Sequence, residues 1–112
     1  MDPDRARELL AGERARVERA LRGVAPVESD EPTTYEHLAD QGSDLYEAEF
    51  DEGVADGLRN ELAAIERAEQ RLAAGTYGVS IESGAPIPDE RLEAVPTAER
   101  TAEEQARFDR GA

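Results

Sequence analysis

The feature that most constrains the fold is a long stripe of apolar residues at helical spacing in the second half of the chain. The stripe ends near Ala74 and consists of Leu45, Phe50, Val54, Leu58, Leu62, Ile65, Ala68 and Leu72. A helix of about thirty residues, capped at Ser43 or Asp44 and ended by Gly75, is a rod about 45 Å long. Because the chain has only 112 residues, it cannot surround such a rod, and the stripe needs a partner helix.

Residues 2–22 supply that partner. Asp2 can cap a helix, and Pro3 suits the first helical position because its missing N–H costs nothing there. A narrow apolar stripe follows, broken at Glu13 and ended by Gly23; its main residues are Ala6, Leu10, Val17 and Leu21. A narrow stripe packs against one helix. We therefore predict an antiparallel helical hairpin (coiled coil) over residues 1–74, with a tip loop near 24–44, in a monomer. Dimerisation through a coiled coil is the alternative.

The remainder, residues 75–112, is predicted to be a small separate domain. Between about 76 and 96 the apolar residues come in short pieces broken by proline and glycine, which indicates a β-hairpin or an irregular knob. A final short helix is predicted over 101–109. The fold class is therefore mainly α.

Charge restricts the possible partners. The chain has 27 acidic and 13 basic residues and a formal net charge of −14. Nucleic acids and anionic membranes attract Lys and Arg, so direct binding to either is disfavoured, and a basic protein surface is the natural partner. No apolar run approaches 18 residues and the N-terminus is polar, which predicts a cytoplasmic protein. With no cysteine and one histidine, no catalytic constellation is evident, and we expect no enzyme.

A four-point pattern lies in the C-terminal domain. Ser80-x2-Ser83 is followed, after 17 residues, by Thr101-x2-Glu104. Four cysteines at this spacing would indicate a structural zinc site. Hydroxyls do not become thiolates, and one carboxylate cannot replace four soft donors, so we predict no zinc and no other cofactor. A weak oxygen-ligand metal site is the rival interpretation.

Without zinc, this segment lacks the large folding term that a zinc site would supply, and other contacts must stabilise it. Thr101 and Glu104 have the T-x-x-E spacing of a capping box, although such spacings also occur by chance in acidic chains. A capping box recovers about 1 kcal/mol. The rest is expected from docking on the hairpin and from apolar contacts among Val79, Ile81, Ile87, Leu92, Val95 and Phe108.

The segments around these four positions resemble a known family, DksA/TraR, in its C-terminal zinc finger. The resemblance is carried by "LAAGTYG" before the first pair, by "GAPIPDERLEAVPTAER" between the pairs and by Gln105 after the second pair. It covers residues 40–105. It implies a protein that binds bacterial RNA polymerase and consists of a coiled coil with a C-terminal zinc finger. In the family the four positions are usually cysteines.

The resemblance also points to the tip of the hairpin. The family carries an acidic motif, D-x-x-D-x-A, that is implied to enter the secondary channel of the polymerase. Here its three positions fall on His37, Asp40 and Gly42, so one is retained, and Asp44 could supply a second carboxylate. Both acids could equally be ordinary residues at a helix start. Residues 55–64 hold one cation, Arg59, so we expect weak or absent cooperation with guanosine tetraphosphate.

Two functions are consistent with the sequence. The first is a transcription regulator that binds RNA polymerase through the secondary channel without contacting DNA. The second is a structural or adaptor coiled coil that keeps the family fold but not polymerase regulation.

Overall fold

The computed structural model describes residues 1–24 and 52–111. This part of the chain is mainly helical, with α1 at Pro3–Val24, α2 at Glu52–Ala74, α3 at Asp89–Ala94 and α4 at Ala102–Gly111. The predicted mainly α fold is confirmed. Helix α1 continues through Gly23 to Val24, beyond the predicted end. The predicted start of the second helix, at Ser43 or Asp44, lies outside the described residues.

Contacts divide the chain into two compact units, and each contains part of α1 and part of α2. One unit consists of Met1–Arg14 and Ala63–Ala112, and the other is Ala15–Leu62. In the first unit Arg14 lies beside Glu69, with Nη2 2.6 Å from Oε1, while a groove nearer the start of α1 is lined by Leu10, Leu72 and Ala73. Later residues of α2 therefore lie beside earlier residues of α1, which is the antiparallel arrangement predicted for a helical hairpin.

The apolar stripes are buried much as their spacing predicts. Ala6, Leu10, Ile65 and Ala68 are at most 1% exposed in the first unit. In the second unit Val17 and Ala55 are buried, and Arg16 pairs with Glu61 at 2.9 Å. The prediction that Val54 belongs to the stripe is wrong, because its side chain is 47% exposed. Ala55 takes the inward position instead, since steps of three and four residues lead from it through Leu58 and Leu62 to Ile65.

Two of the predicted helix-end signals, Asp2 and Gly75, are confirmed. Asp2 caps α1, with its Oδ1 accepting a hydrogen bond of 3.1 Å from the amide of Asp4. At the end of α2, Gly75 has φ of +79°. The amide of Thr76 then reaches the carbonyl of Arg71 at 2.8 Å, and that of Gly75 reaches Leu72 at 3.2 Å. These two bonds satisfy carbonyls that the helix end would leave without donors.

The C-terminal segment has a small apolar core. Ile87, Leu92 and Ala98 are buried, and Met1 and Tyr77 pack against them. Leu92 lies on α3, a helix that the sequence did not predict. No β-strand occurs in the described part of the C-terminal segment; one isolated antiparallel bridge joins Val79 to Pro86.

The predicted list of core residues for this segment was largely wrong. Four of its six members are between 38% and 52% exposed, namely Val79, Ile81, Val95 and Phe108. Between two of them, Val79 and Ile81, lies Ser80, which is only 4% exposed. The serine takes the inward position at this turn because its hydroxyl accepts the amides of Glu82 and Ser83.

Docking against the helices is confirmed within the first unit. Arg5 on α1 makes two hydrogen bonds to Glu93 on α3, at 2.8 and 2.6 Å. Arg67 and Arg71 on α2 both reach Glu99, at 3.2 and 3.1 Å. These ion pairs tie the C-terminal segment to both helices.

Candidate functional site

The first half of the four-point pattern is a tight turn built on Ser80. Its Oγ accepts hydrogen bonds from the amides of Glu82 and Ser83, at 3.0 and 3.3 Å. The Oγ of Ser83 accepts one from Ala85, at 3.2 Å. Gly84 closes the turn with φ of +76°, a backbone conformation that residues with a Cβ rarely adopt. Both serine oxygens therefore serve as backbone acceptors at the predicted ligand positions.

The second half is the start of α4, and the capping-box prediction is confirmed. The Oγ1 of Thr101 accepts a hydrogen bond from the amide of Glu104 at 3.2 Å, and Oε1 of Glu104 accepts one from the amide of Thr101 at 2.9 Å. Each residue thus satisfies an amide that the helix start would leave without an acceptor.

The Glu104 carboxylate joins the two halves. The residue is 7% exposed although it is charged. Hydrogen bonds from the hydroxyls of Ser80 and Ser83, and then from the Thr101 backbone, lower the pKa of Glu104 to about 2. A serine hydroxyl can donate one hydrogen bond while accepting others, so both uses of each serine are compatible. The four positions paired by sequence spacing do come together in the fold.

This set of donors does not fit the zinc that such a finger would bind. Serine and threonine are neutral hydroxyls at neutral pH, and zinc sites use thiolates, imidazoles or several carboxylates. The one carboxylate already accepts a hydrogen bond from the Thr101 amide, and the hydroxyls of Ser80 and Ser83 stabilise its charged form. Across residues 1–24 and 52–111, no group of three or more His, Cys, Asp or Glu side chains could hold a metal ion. We therefore assign no metal chemistry to this cluster.

A second set of contacts, which the sequence did not predict, connects the turn to α4. Arg100 donates to Oε2 of Glu82 at 2.6 Å, and its guanidinium carbon lies 3.9 Å from the ring centroid of Phe108. Its carbonyl accepts a hydrogen bond from Arg91 at 3.0 Å. The paired residues are 18, 8 and 9 positions apart in the sequence. Helix caps and turns depend on residues only a few positions apart, so such local patterns could not predict these contacts.

The predicted tip residues Asp40 and Asp44 lie outside the described residues, as do His37 and Gly42. Arg59, the one cation of residues 55–64, pairs with Asp56 one turn earlier at 3.1 Å. A cation already paired with a carboxylate offers less charge to a phosphate ligand. This ion pair agrees with the expectation of weak cooperation with guanosine tetraphosphate, which stays a prediction.

Comparison with known proteins connects this segment to a family. Residues 75–110 match the family described as "Prokaryotic dksA/traR C4-type zinc finger". Over 70 residues the chain is 44% identical to General stress protein 16O of Bacillus subtilis, covering 62% of this chain and 43% of that protein. Over 80 residues it is 35% identical to RNA polymerase-binding transcription factor DksA of Caulobacter vibrioides, covering 71% of this chain and 56% of that protein.

A solved structure extends the similarity to most of the fold. Transcription factor DksA2 from Pseudomonas aeruginosa matches with a TM-score of 0.59 and 28% identity, covering 96% of this chain and 83% of that one. The chain spans only 43% to 56% of the length of the two curated relatives described above. The similarity therefore concerns the fold and the finger segment, and it does not establish the activities of the longer proteins.

Proposed function

Because the chain belongs to the DksA/TraR family, we propose that it is a transcription regulator that binds RNA polymerase through the secondary channel and does not contact DNA. The observation that carries the proposal is the pairing of a family-type finger with two antiparallel helices in one chain. One relative is named as an RNA polymerase-binding transcription factor.

The proposed mechanism places the end of the helical hairpin in the channel. Asp40 is the one acidic motif position retained, and Asp44 adds a carboxylate four residues later. In a narrow channel the low effective dielectric strengthens the field of such groups on nearby basic side chains or metal ions. The C-terminal finger would bind the polymerase surface at the rim of the secondary channel. In this proposal the regulator is a cytoplasmic monomer that needs no zinc and catalyses no reaction.

Charge supports a protein partner over a nucleic acid. A net charge of −14 repels phosphate and attracts basic protein surfaces. Association should therefore be fast at low salt and slower as salt screens the attraction.

The test is direct binding of the purified chain to RNA polymerase core by co-purification and biolayer interferometry. We expect micromolar or tighter binding that Asp40→Asn weakens without changing the circular dichroism spectrum. Glu66→Gln, farther along α2, is the control, because it removes the same charge at a greater distance along the helix from the tip. Failure of the folded chain to bind core at micromolar concentration would overturn the proposal.

The second candidate is a structural or adaptor protein with the same fold. It is favoured by His37 and Gly42, which replace two of three positions in the acidic motif. The two candidates differ in the core-binding experiment, because an adaptor would stay folded and would not bind polymerase. Restoring the motif with His37→Asp and Gly42→Ala would then create binding only if the rest of the surface suits the polymerase.

A further inference from the structure

A groove on the finger borders the four-point cluster at Thr101 and extends from there along α3, away from the serine turn. It has a volume of about 570 Å³ and runs between α3 and the start of α4. Carbon atoms form most of its wall, and the side chains that matter here are those of Pro86, Pro88, Ala94, Val95, Glu90 and Glu103. Val95 is 41% exposed, so its apolar side chain is accessible from the groove.

The acidic side chains of the finger divide into two classes. Six of the eight between residues 75 and 111 have a partner: Glu82 with Arg100, Asp89 with the Met1 amino group, Glu93 with Arg5, Glu99 with Arg67 and Arg71, Glu104 with Thr101, and Asp109 with Gln105. Within the described residues Glu90 and Glu103 have none, and both line the groove. The one cation that lines it, Arg91, already donates through Nε to the carbonyl of Arg100.

We propose that this groove is a docking site for a basic segment of a partner protein, which inserts one apolar side chain between α3 and α4 and places Lys or Arg beside Glu90 and Glu103. Burial of a large apolar side chain against the apolar walls is favourable. The carboxylates of Glu90 and Glu103 attract a positively charged side chain beside it. The groove uses neither the tip nor the helical hairpin, so a peptide can test it without polymerase, although the proposed function places the finger against the rim of the channel.

Other occupants fit the groove less well. A second copy of this chain carries the same net charge of −14 and would be repelled on approach. Nucleic acid and anionic membrane would bring negative charge to two carboxylates that lack partners. A basic peptide with one large apolar residue satisfies both parts of the groove.

A short synthetic peptide with one tryptophan flanked by two lysines on each side is a suitable probe. The protein contains no tryptophan, so the emission of the peptide reports only on its own ring. We expect a blue shift on titration with the full chain, and amide shifts in its nuclear magnetic resonance spectrum confined to α3 and the start of α4. A peptide with glutamates in place of lysines, or glycine in place of tryptophan, should not bind.

Variants separate the groove from general acidity. Glu90→Gln with Glu103→Gln should weaken binding roughly fivefold, as expected for two exposed charge pairs. Val95→Thr keeps the shape of the side chain but makes the wall polar, and it should weaken binding as well. The control pair Glu52→Gln with Glu66→Gln removes equal charge on α2 and should leave affinity unchanged.

Three results would overturn the inference. The first is equal weakening by the control pair, which would reduce the effect to net charge. The second is undiminished binding of the glycine peptide, which would remove the groove from the interaction. The third is self-association of the chain that Val95→Thr abolishes, since the occupant would then be a second copy.

Discussion

Glu104 is a charged side chain at a position where the DksA/TraR family usually has a cysteine. The pH dependence of stability tests whether its charged carboxylate stabilises the fold. Its pKa is lowered from 4.5 to about 2 in the folded chain, chiefly by the hydroxyls of Ser80 and Ser83. Between those two values the unfolded chain binds more protons than the folded one. The contribution of Glu104 is therefore complete above about pH 4.5 and disappears as the pH falls toward 2.

We predict that the stability of the protein declines over this acid range and that Glu104→Gln removes part of the decline. Urea unfolding followed by circular dichroism between pH 2 and 6 measures it. Glu103→Gln is the matched control, because Glu103 is exposed and lies one position earlier on the same helix. Equal pH slopes in the two variants would show that the hydroxyl bonds do not stabilise the charged form.

Thr101 tests the other partner in the capping box. Its hydroxyl accepts the Glu104 amide, so Thr101→Val, which has the same shape, should lower the free energy of unfolding by about 1 kcal/mol. Thr101→Ser keeps the hydroxyl and should lose much less. Chemical denaturation of both variants at neutral pH makes the comparison, and equal losses would contradict a role for the hydroxyl.

Among the elements, the finger shows how a metal site can give way to hydrogen bonds with its backbone preserved. Ser80 accepts two amides, Ser83 accepts one and Thr101 accepts one, so each hydroxyl serves as a backbone acceptor at a position where the family usually has cysteine. The turn and the helix start are then held by the chain itself. Addition of zinc or of a chelator should consequently leave the melting temperature unchanged.

The same preserved frame predicts that zinc binding can be restored. The variant Ser80→Cys, Ser83→Cys, Thr101→Cys, Glu104→Cys should purify with about one zinc per chain, since four thiolates at this spacing form a tetrahedral site. Elemental analysis and the effect of a chelator on thermal unfolding measure it. The wild-type chain is the control, and stoichiometric zinc in the wild type would contradict the hydrogen-bonded interpretation.

Local sequence signals predicted the parts of these elements that depend on neighbours. Asp2, Gly75 and the pair of Thr101 and Glu104 act within one turn of backbone, and each was predicted correctly. Helix α3 was missed because it has six residues and buries one side chain, Leu92, against partners outside the helix. The tie between Tyr77 and the carbonyl of Pro96, 19 residues apart, likewise leaves no periodic trace in the sequence.

For the molecule as a whole, two electrostatic effects oppose each other. Several ion pairs join its elements, including Arg5 with Glu93 and Arg71 with Glu99. Such pairs at or near the surface contribute little, typically about 0–1 kcal/mol each. The net charge of −14 has the opposite effect, because repulsion among the acidic side chains destabilises the compact state.

We predict that repulsion wins, so that the melting temperature at neutral pH rises as sodium chloride is added from low ionic strength. Salt screens the long-range repulsion among 27 acidic residues more completely than it screens pairs in direct contact. A melting temperature that falls with salt in the wild type would instead make the ion pairs the dominant electrostatic contribution to the fold.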